Sequence, residues 1–354
     1  MGYEVEFLSV GDSNGDAITV RYGNAHTGYT INIVDGGYVG TGQVVVDHVR
    51  QHYGAGARID NLVLTHADRD HAGGMETILN ELDVAVLWMN RPWLYASEVL
   101  DKFHGTFTSE GLKTRLRESY DILENLERVA QSRGTVVREV FAGAVIGDFQ
   151  VLAPSRERYL ELIPAFDRTP KSYIKETSAI VGMFDRAVKA AKSWFETWYD
   201  EQLSNNPPNT SAQNEASVVQ MGTLDGNRIL LTADAGPDAL NEAFDNAAKS
   251  GILGQLSFVQ VPHHGSRRNV TPEVLDKWLG QPLEPEDNSR GVAFVSIGTN
   301  KEDYPRHRVK NAFLRRGYSV YRGSLGYIRH ASDMPERDGL FALEPLSFTS
   351  RYSE

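Results

Sequence analysis

The sequence predicts an α+β protein in which two β-sheets pack together with helices on the outside. Two observations predict it. Short β-branched and aromatic runs gather toward both ends of the chain, and stretches with apolar residues every three or four positions are interleaved with them in each half.

Tyr3–Val10, Asp16–Tyr22 and Tyr29–Val34 read as strands separated by Gly, Asn and Asp turn chemistry. A helix over Gln43–Tyr53 ends at Gly54, and the apolar strand Arg58–Leu64 runs straight into Thr65 and His66. Gly73-Gly74 opens a helix to about Leu82, and Val84–Met89 is a buried strand. Residues 92–134 read as helical and 135–152 as strand-like. From Pro154 to Pro208 the pattern changes: Ile180, Phe184, Ala187, Val188, Ala191, Phe195 and Trp198 recur as one helix face would. Strands return at Ser217–Met221, Arg228–Thr232, Ser257–Val261, Val292–Ile297 and Ser319–Arg322, with helices near Asp238–Lys249, Thr271–Leu279 and Arg308–Arg316 between several of them. The expectation is one domain over 1–354 with helical insertions at about 92–134 and 155–210. The second insertion packs on a sheet or, less simply, forms a lid.

Composition bounds the function. Of 354 residues, 41% are apolar and 23% charged, an ordinary globular balance. No apolar run is long enough to span a membrane, and the N-terminus does not read as a secretory signal, so the expected location is cytoplasmic. With no cysteine, thiolate zinc sites, disulfides and thiol nucleophiles are excluded, and any metal must be held by imidazole and carboxylate. The net charge of −11 disfavours tight binding to long nucleic acid. Residues 255–330, however, carry 12 Lys/Arg against 7 Asp/Glu.

The chemistry concentrates in Thr65-His66-Ala67-Asp68-Arg69-Asp70-His71-Ala72-Gly73-Gly74, where two imidazoles and two carboxylates fall within six residues after an apolar strand. A loop there turns alternate side chains toward one point, so His66 and Asp68 can share one ion while Asp70 and His71 reach a second. The glycines let the backbone bend and the following helix come close. The alternative is a solvated turn with accidental histidines.

This segment resembles the HxHxDH signature of the metallo-β-lactamase superfamily, with Asp68 in place of the second histidine. That replacement is similar to the branch containing the soluble hydrolase domain of the DNA-uptake competence protein ComEC. Phe7-Leu-Ser-Val-Gly and Gly15-Asp16-Ala17 resemble its "DVGxGDA" run, and Val34-Asp35-Gly36-Gly37 its next motif. Leu230-Leu-Thr-Ala-Asp234 resembles "LLTGD", Val261-Pro-His263-His264-Gly-Ser266 resembles "PHHGS", and Val295-Ser-Ile-Gly298 and Gly326-Tyr-Ile also fit. The resemblance implies an αββα sandwich of two mixed sheets and a site for one or two divalent ions. Zinc is favoured; the extra carboxylate makes manganese or iron competitors.

It further implies His66, Asp68, Asp70, His71 and Asp234 as metal ligands, with Asp234 bridging and one of the pair His263 and His264, His263 favoured, completing the second ion. Asp70 and His264 become the catalytic pair, His264 as a substrate-facing donor or proton carrier. Asp35 orients a ligand or the loop. Asn214, Ser217, Arg267, Arg268 and Tyr304 are candidate substrate contacts. Two departures stand out. Gln213–Ser217 holds no histidine where many relatives supply one, and Tyr304 occupies the histidine position of "NxYxHP", with His307 two residues on. His26, His48, His52, His104 and His330 read as surface or packed histidines.

The expected function is metal-dependent attack on a phosphoester by a phosphodiesterase- or nuclease-type hydrolase. A nucleotide or a short or single-stranded nucleic acid suits the charge, and arginines suit phosphate oxygens. Arg315-Arg316 reads as a solvated helix face. Hydrolysis of an ester, thioester or lactam is the alternative. A non-enzymatic metal-stabilised module, meeting a protein partner through the helical insertion, is the third.

Overall fold

The computed structural model describes residues 1–172, 193–287, 289–324, 326–337, 340 and 342–353. Fourteen strands form two seven-stranded sheets. The first has the order β15-β1-β2-β3-β4-β5-β6: Tyr327–Ser332, Gly2–Leu8, Ile18–Asn24, Gly28–Val34, Arg58–Val63, Asp83–Trp88 and Val136–Arg138. The second runs β14-β13-β12-β11-β10-β8-β7: Tyr318–Gly323, Gly291–Ser296, Phe258–Gln260, Asn227–Leu231, Val219–Leu224, Phe149–Ala153 and Val145–Ile146. In each sheet, four neighbouring strands are parallel and the others antiparallel. Both sheets are therefore mixed, as expected.

Alternation along each strand creates the layers. Tyr3, Val5 and Phe7 of β1 and Ile18 and Val20 of β2 meet Phe149, Ile229, Phe258 and Phe294 in the core between the sheets. The opposite face of the first sheet packs on Val45, Val46 and Val49 of the Val39–His52 helix and Ile78 and Leu79 of the Met75–Glu81 helix. That of the second packs on Ala239, Leu240 and Ala243 of the Pro237–Lys249 helix, Val274 and Trp278, and Val309 and Phe313. The result is helix, sheet, sheet, helix. Among the described residues, no helix is long and apolar enough to cross a membrane.

Two differences from expectation have physical causes. The first helix begins at Val39 rather than Gln43. Gly40 and Gly42 weaken its helical signal, and Gly42 is needed because a Cβ there would lie 2.3 Å from the Gly74 carbonyl oxygen. The apolar stripe from Ile180 to Ala191 lies outside the described residues. Its last two members are not helical: Phe195 ends the strand β9, Ser193–Phe195, which pairs with β16, Arg351–Ser353. Trp198 lies beyond it, its Nε1 donating to the Leu283 carbonyl at 2.7 Å. Residues 92–134 are helical as expected, chiefly in Ser109–Ser119 and Asp121–Ser132.

Candidate metal centre

The parallel strands of both sheets end on one rim, the usual position for ligand sites in such sheets. There β3 delivers Asp35, β4 delivers Thr65 and His66, β11 delivers Asp234, β12 leads to His263 and His264, and β13 ends at Ser296. The four-residue helix Arg69–Ala72, started at Asp68, turns Asp70 and His71 inward.

Asp234 lies at the centre, 2% exposed. Its Oδ1 is 3.5 Å from His71 Nε2 and 3.7 Å from His264 Nε2. Its Oδ2 is 3.3 Å from His263 Nε2 and 4.0 Å from His66 Nε2. Asp70 Oδ2 lies 4.0 Å from His71 Nε2 and 3.8 Å from His264 Nε2, and Asp68 Oδ2 lies 3.6 Å from His66 Nε2. Ligands about 2.1 Å from a tetrahedral ion sit roughly 3.4 Å apart, so this spacing suits atoms sharing a cation. One atom from each of Asp70, His71, Asp234 and His264 falls within a single 4.8 Å group.

The fit is sharpened by unsatisfied atoms. His66 Nε2, His71 Nε2, His264 Nε2 and Asp234 Oδ1 are buried without a hydrogen-bond partner, a costly arrangement unless something else binds there. The other nitrogen of each ring is held. His71 Nδ1 donates to Asp35 Oδ2 at 2.7 Å, and His264 Nδ1 donates to the Ser296 carbonyl at 3.0 Å. Thr65 Oγ1 gives its proton to Asp35 at 2.7 Å, so toward His66 Nδ1, 3.1 Å away, it is an acceptor. In its neutral form each of these rings carries its proton on Nδ1 and turns Nε2 toward the centre.

Residues 11–140 match the family model described as the metallo-beta-lactamase superfamily. That match covers the 66–71 segment, and the two-sheet architecture agrees with it. The fold is that of the metallo-beta-lactamase superfamily. No curated protein matches the sequence. Among solved structures, a metallo-beta-lactamase candidate from Thermotoga maritima is 9% identical, covering 73% of this chain and 95% of its own at a TM-score of 0.36. A metallo-beta-lactamase from Cronobacter sakazakii is 12% identical, with 72% and 75% coverage and a TM-score of 0.31. A mutant of the CmlA beta-hydroxylase is 12% identical, with 94% and 54% coverage and a TM-score of 0.41.

Within this metallo-beta-lactamase fold, several expected placements change. The two adjacent histidines lie on different sides of Asp234. His264, not His263, lies with Asp70 and His71, and it is 3% exposed. Asn214 and Ser217 are also buried and touch imidazoles instead: Asn214 Nδ2 is 3.0 Å from His263 Nδ1, and Ser217 Oγ is 3.3 Å from His66 Nδ1. Tyr304 carries the Arg306 guanidinium over its ring at 4.6 Å, and Pro305 packs where a Gly265 side chain would lie.

Most of the late arginines are already engaged. Arg315 and Arg316 are each 1% exposed and paired with Glu196 and with Glu201 and Asp276, so they are not a solvated face. Arg306 pairs with Asp303, Arg308 donates to the Gln202 carbonyl, and Arg322 donates to the Gly298 carbonyl. Among the described residues, Arg267 and Arg268 have no ion pair.

Sequence reading missed the supports. Asp16, buried, accepts from Gln260 Nε2 at 2.8 Å and lies 4.0 Å from His71 Nδ1 and 3.9 Å from His264 Nδ1. Gly15 beside it is obligatory, since a Cβ there would sit 2.6 Å from the Asp70 carbonyl oxygen. The Gly-Asp-Ala run was the available signal.

Charge couples these groups. Burial pushes Asp234 up, but the imidazoles of His263, His71 and His264 outweigh it and hold its carboxyl well below the usual range. Burial likewise opposes ionisation of Asp70, yet His264 and His71 bring it to about 2. Burial lowers His264, but Asp234, Asp70 and Asp16 raise it to about 9, and His71 rises well above its ordinary value for a similar reason. Below pH 9 a cation must therefore displace protons from these imidazoles. Apparent affinity for zinc or manganese is expected to rise with pH across the neutral range to about 9. The binding enthalpy at pH 7 is expected to change with the ionisation enthalpy of the buffer; buffer-independent heats would contradict this.

Proposed function

We propose that the chain is a metal-dependent hydrolase and that its substrate is a phosphoester. The observation that carries the metal reading is that the buried Nε2 atoms of His66, His71 and His264 converge on the two oxygens of Asp234 with no hydrogen-bond partner. His66, Asp68, Asp70, His71, Asp234 and His264 would hold one or two divalent ions, zinc first, with manganese or iron as alternatives. A bound divalent ion supplies Lewis acidity, lowering the pKa of water and drawing charge from a phosphoryl or carbonyl oxygen.

The chain's own residues set the geometry. Asp35 ties the β4 end to His71 by accepting from Thr65 N, Thr65 Oγ1 and His71 Nδ1. Asp70, ionised at neutral pH, acts as an anion and not as a proton donor. Arg267 and Arg268 follow the two histidines directly and offer guanidinium groups to an anionic ester. A nucleotide or short single strand suits these few free cations better than a long duplex does.

A second reading, hydrolysis of a carboxylic ester, thioester or lactam, is favoured by one feature. A cavity of about 30 Å³ lies beside His66, lined by Leu64, Ala67, Tyr120, Leu123, Tyr159 and Phe166 together with Thr65, Asn90 and Gln213, and by no arginine. Turnover of bis(p-nitrophenyl) phosphate and labelled oligonucleotides, set against p-nitrophenyl acetate and a chromogenic lactam, separates the two with zinc- or manganese-loaded protein. Phosphoester turnover that disappears with chelator supports the proposal. Turnover of the carboxylic substrates alone replaces it with the second reading.

A further inference from the structure

We propose that Gln213 is a positioning residue that aims the Asp68 carboxylate at the metal centre, and that through it the turn 166–169 of the second insertion is coupled to metal binding. The proposal rests on the metal-dependent reading above.

Asp68 stands at the N-cap of the helix Arg69–Ala72, in extended backbone at φ −74° and ψ 148°. An aspartate there ordinarily turns its carboxylate onto the first N–H groups of the helix. Here the side chain makes no capping bond. Oδ2 lies 3.6 Å from His66 Nε2 instead, and Oδ1 accepts from Gln213 Nε2 at 3.4 Å. The side chain is 37% exposed, so packing alone does not hold it in that direction.

Gln213 is itself fixed. It is 4% exposed and lies in the four-residue helix Ala212–Glu215, which Ser211 caps by accepting from the Asn214 N–H at 3.1 Å. Its Oε1 accepts from the Asp167 N–H at 2.9 Å. A backbone N–H can only donate, so the amide oxygen must face Asp167 and the amide nitrogen Asp68. Where the sequence lacks the expected loop histidine, it supplies a donor to a ligand in place of a ligand.

The turn beyond Asp167 is anchored in the insertions. Phe166, 3% exposed, meets the rings of Tyr120 and Tyr159 edge-on, with centroids 6.3 and 5.6 Å away. Thr169 N and Oγ1 both donate to the Phe166 carbonyl, at 3.1 and 2.6 Å. Tyr120 follows the helix Ser109–Ser119, so both insertions meet at this turn. An ion that holds Asp68 therefore steadies Gln213 and the turn. A ligand or partner that moves the turn changes the hold on Asp68, since such coupling is reciprocal.

The test uses the full chain, stripped by chelator or loaded with zinc. Deuterium exchange of residues 163–169, read by mass spectrometry, is expected to slow on adding zinc by more than that of residues 109–119, the control for a general gain in stability. Gln213→Met keeps the bulk of the side chain and removes both hydrogen bonds. In this variant the response of 163–169 to zinc is expected to fall to that of the control. Its zinc affinity, measured against a chromophoric chelator, is expected to drop roughly 10–100-fold, because Asp68 is released toward the helix N–H groups. Equal slowing of the two segments in wild type would overturn the inference, and that comparison needs no variant. So would a Gln213→Met protein that melts earlier when stripped yet binds zinc as wild type does, the mark of a packing role alone. A wild type that takes up no zinc would instead defeat the metal reading on which the inference rests.

Discussion

Asp234→Asn is expected to strip the centre of divalent metal and bring hydrolysis to background. The substitution keeps the side chain's shape and removes the negative charge toward which four imidazoles converge. It also removes the anion that holds His71 and His264 protonated in the metal-free protein, so those rings lose their main stabilising partner. Loss of a residue that only supports a ligand typically costs about 10–100-fold in metal affinity; the shared carboxylate should cost more. Zinc content after dialysis, read beside turnover, checks it. Full zinc content in Asp234→Asn would mean that the ions are held elsewhere.

The second large effect lies away from the centre. Arg315→Ala is expected to destabilise the protein by about 3–5 kcal/mol, because it leaves Glu196 buried and unpaired. Glu196 is 0% exposed, and it also accepts from Asn311 Nδ2 at 3.0 Å and from the Tyr352 hydroxyl. The Arg315 guanidinium pairs with it at 2.6 Å while donating to the Trp198 carbonyl. Helix His307–Arg315, strand β9 and the C-terminal strand β16 are thus tied through one ion pair. Urea denaturation of the variant measures the loss; a change below about 1 kcal/mol, the scale of an exposed pair, would contradict the account.

Arg315 also shows where sequence reading stops. Two adjacent arginines on an amphipathic helix read as a solvated face. Partners distant in sequence, Glu196 and Glu201 115 to 119 residues away and Asp276 40 away, turn them inward. Glu4 and Glu6 teach the same lesson. They alternate with Tyr3, Val5 and Phe7 as a half-exposed strand would, yet both are buried and paired with Arg21, Arg329 and Arg337. Local pattern sets which face a residue takes and leaves open what covers that face.

The four groups between His66 and His71 were legible because ligand types crowded into six residues carry their own geometry, and the strand ends bearing Asp234 and the histidine pair were legible from apolar runs. The division of labour between His263 and His264 was not. It depends on two consecutive left-handed residues, a conformation that histidine adopts too rarely for the sequence to announce it. Asn214 and Ser217 look like substrate contacts in a loop and become ring supports only because His263 and His66 lie over them.

Anomalous diffraction from crystals of the full chain grown with zinc tests the central claim most directly. The account predicts a strong peak within coordination distance of Asp234, beside Asp70, His71 and His264. A zinc-saturated crystal with no peak against Asp234 would contradict it.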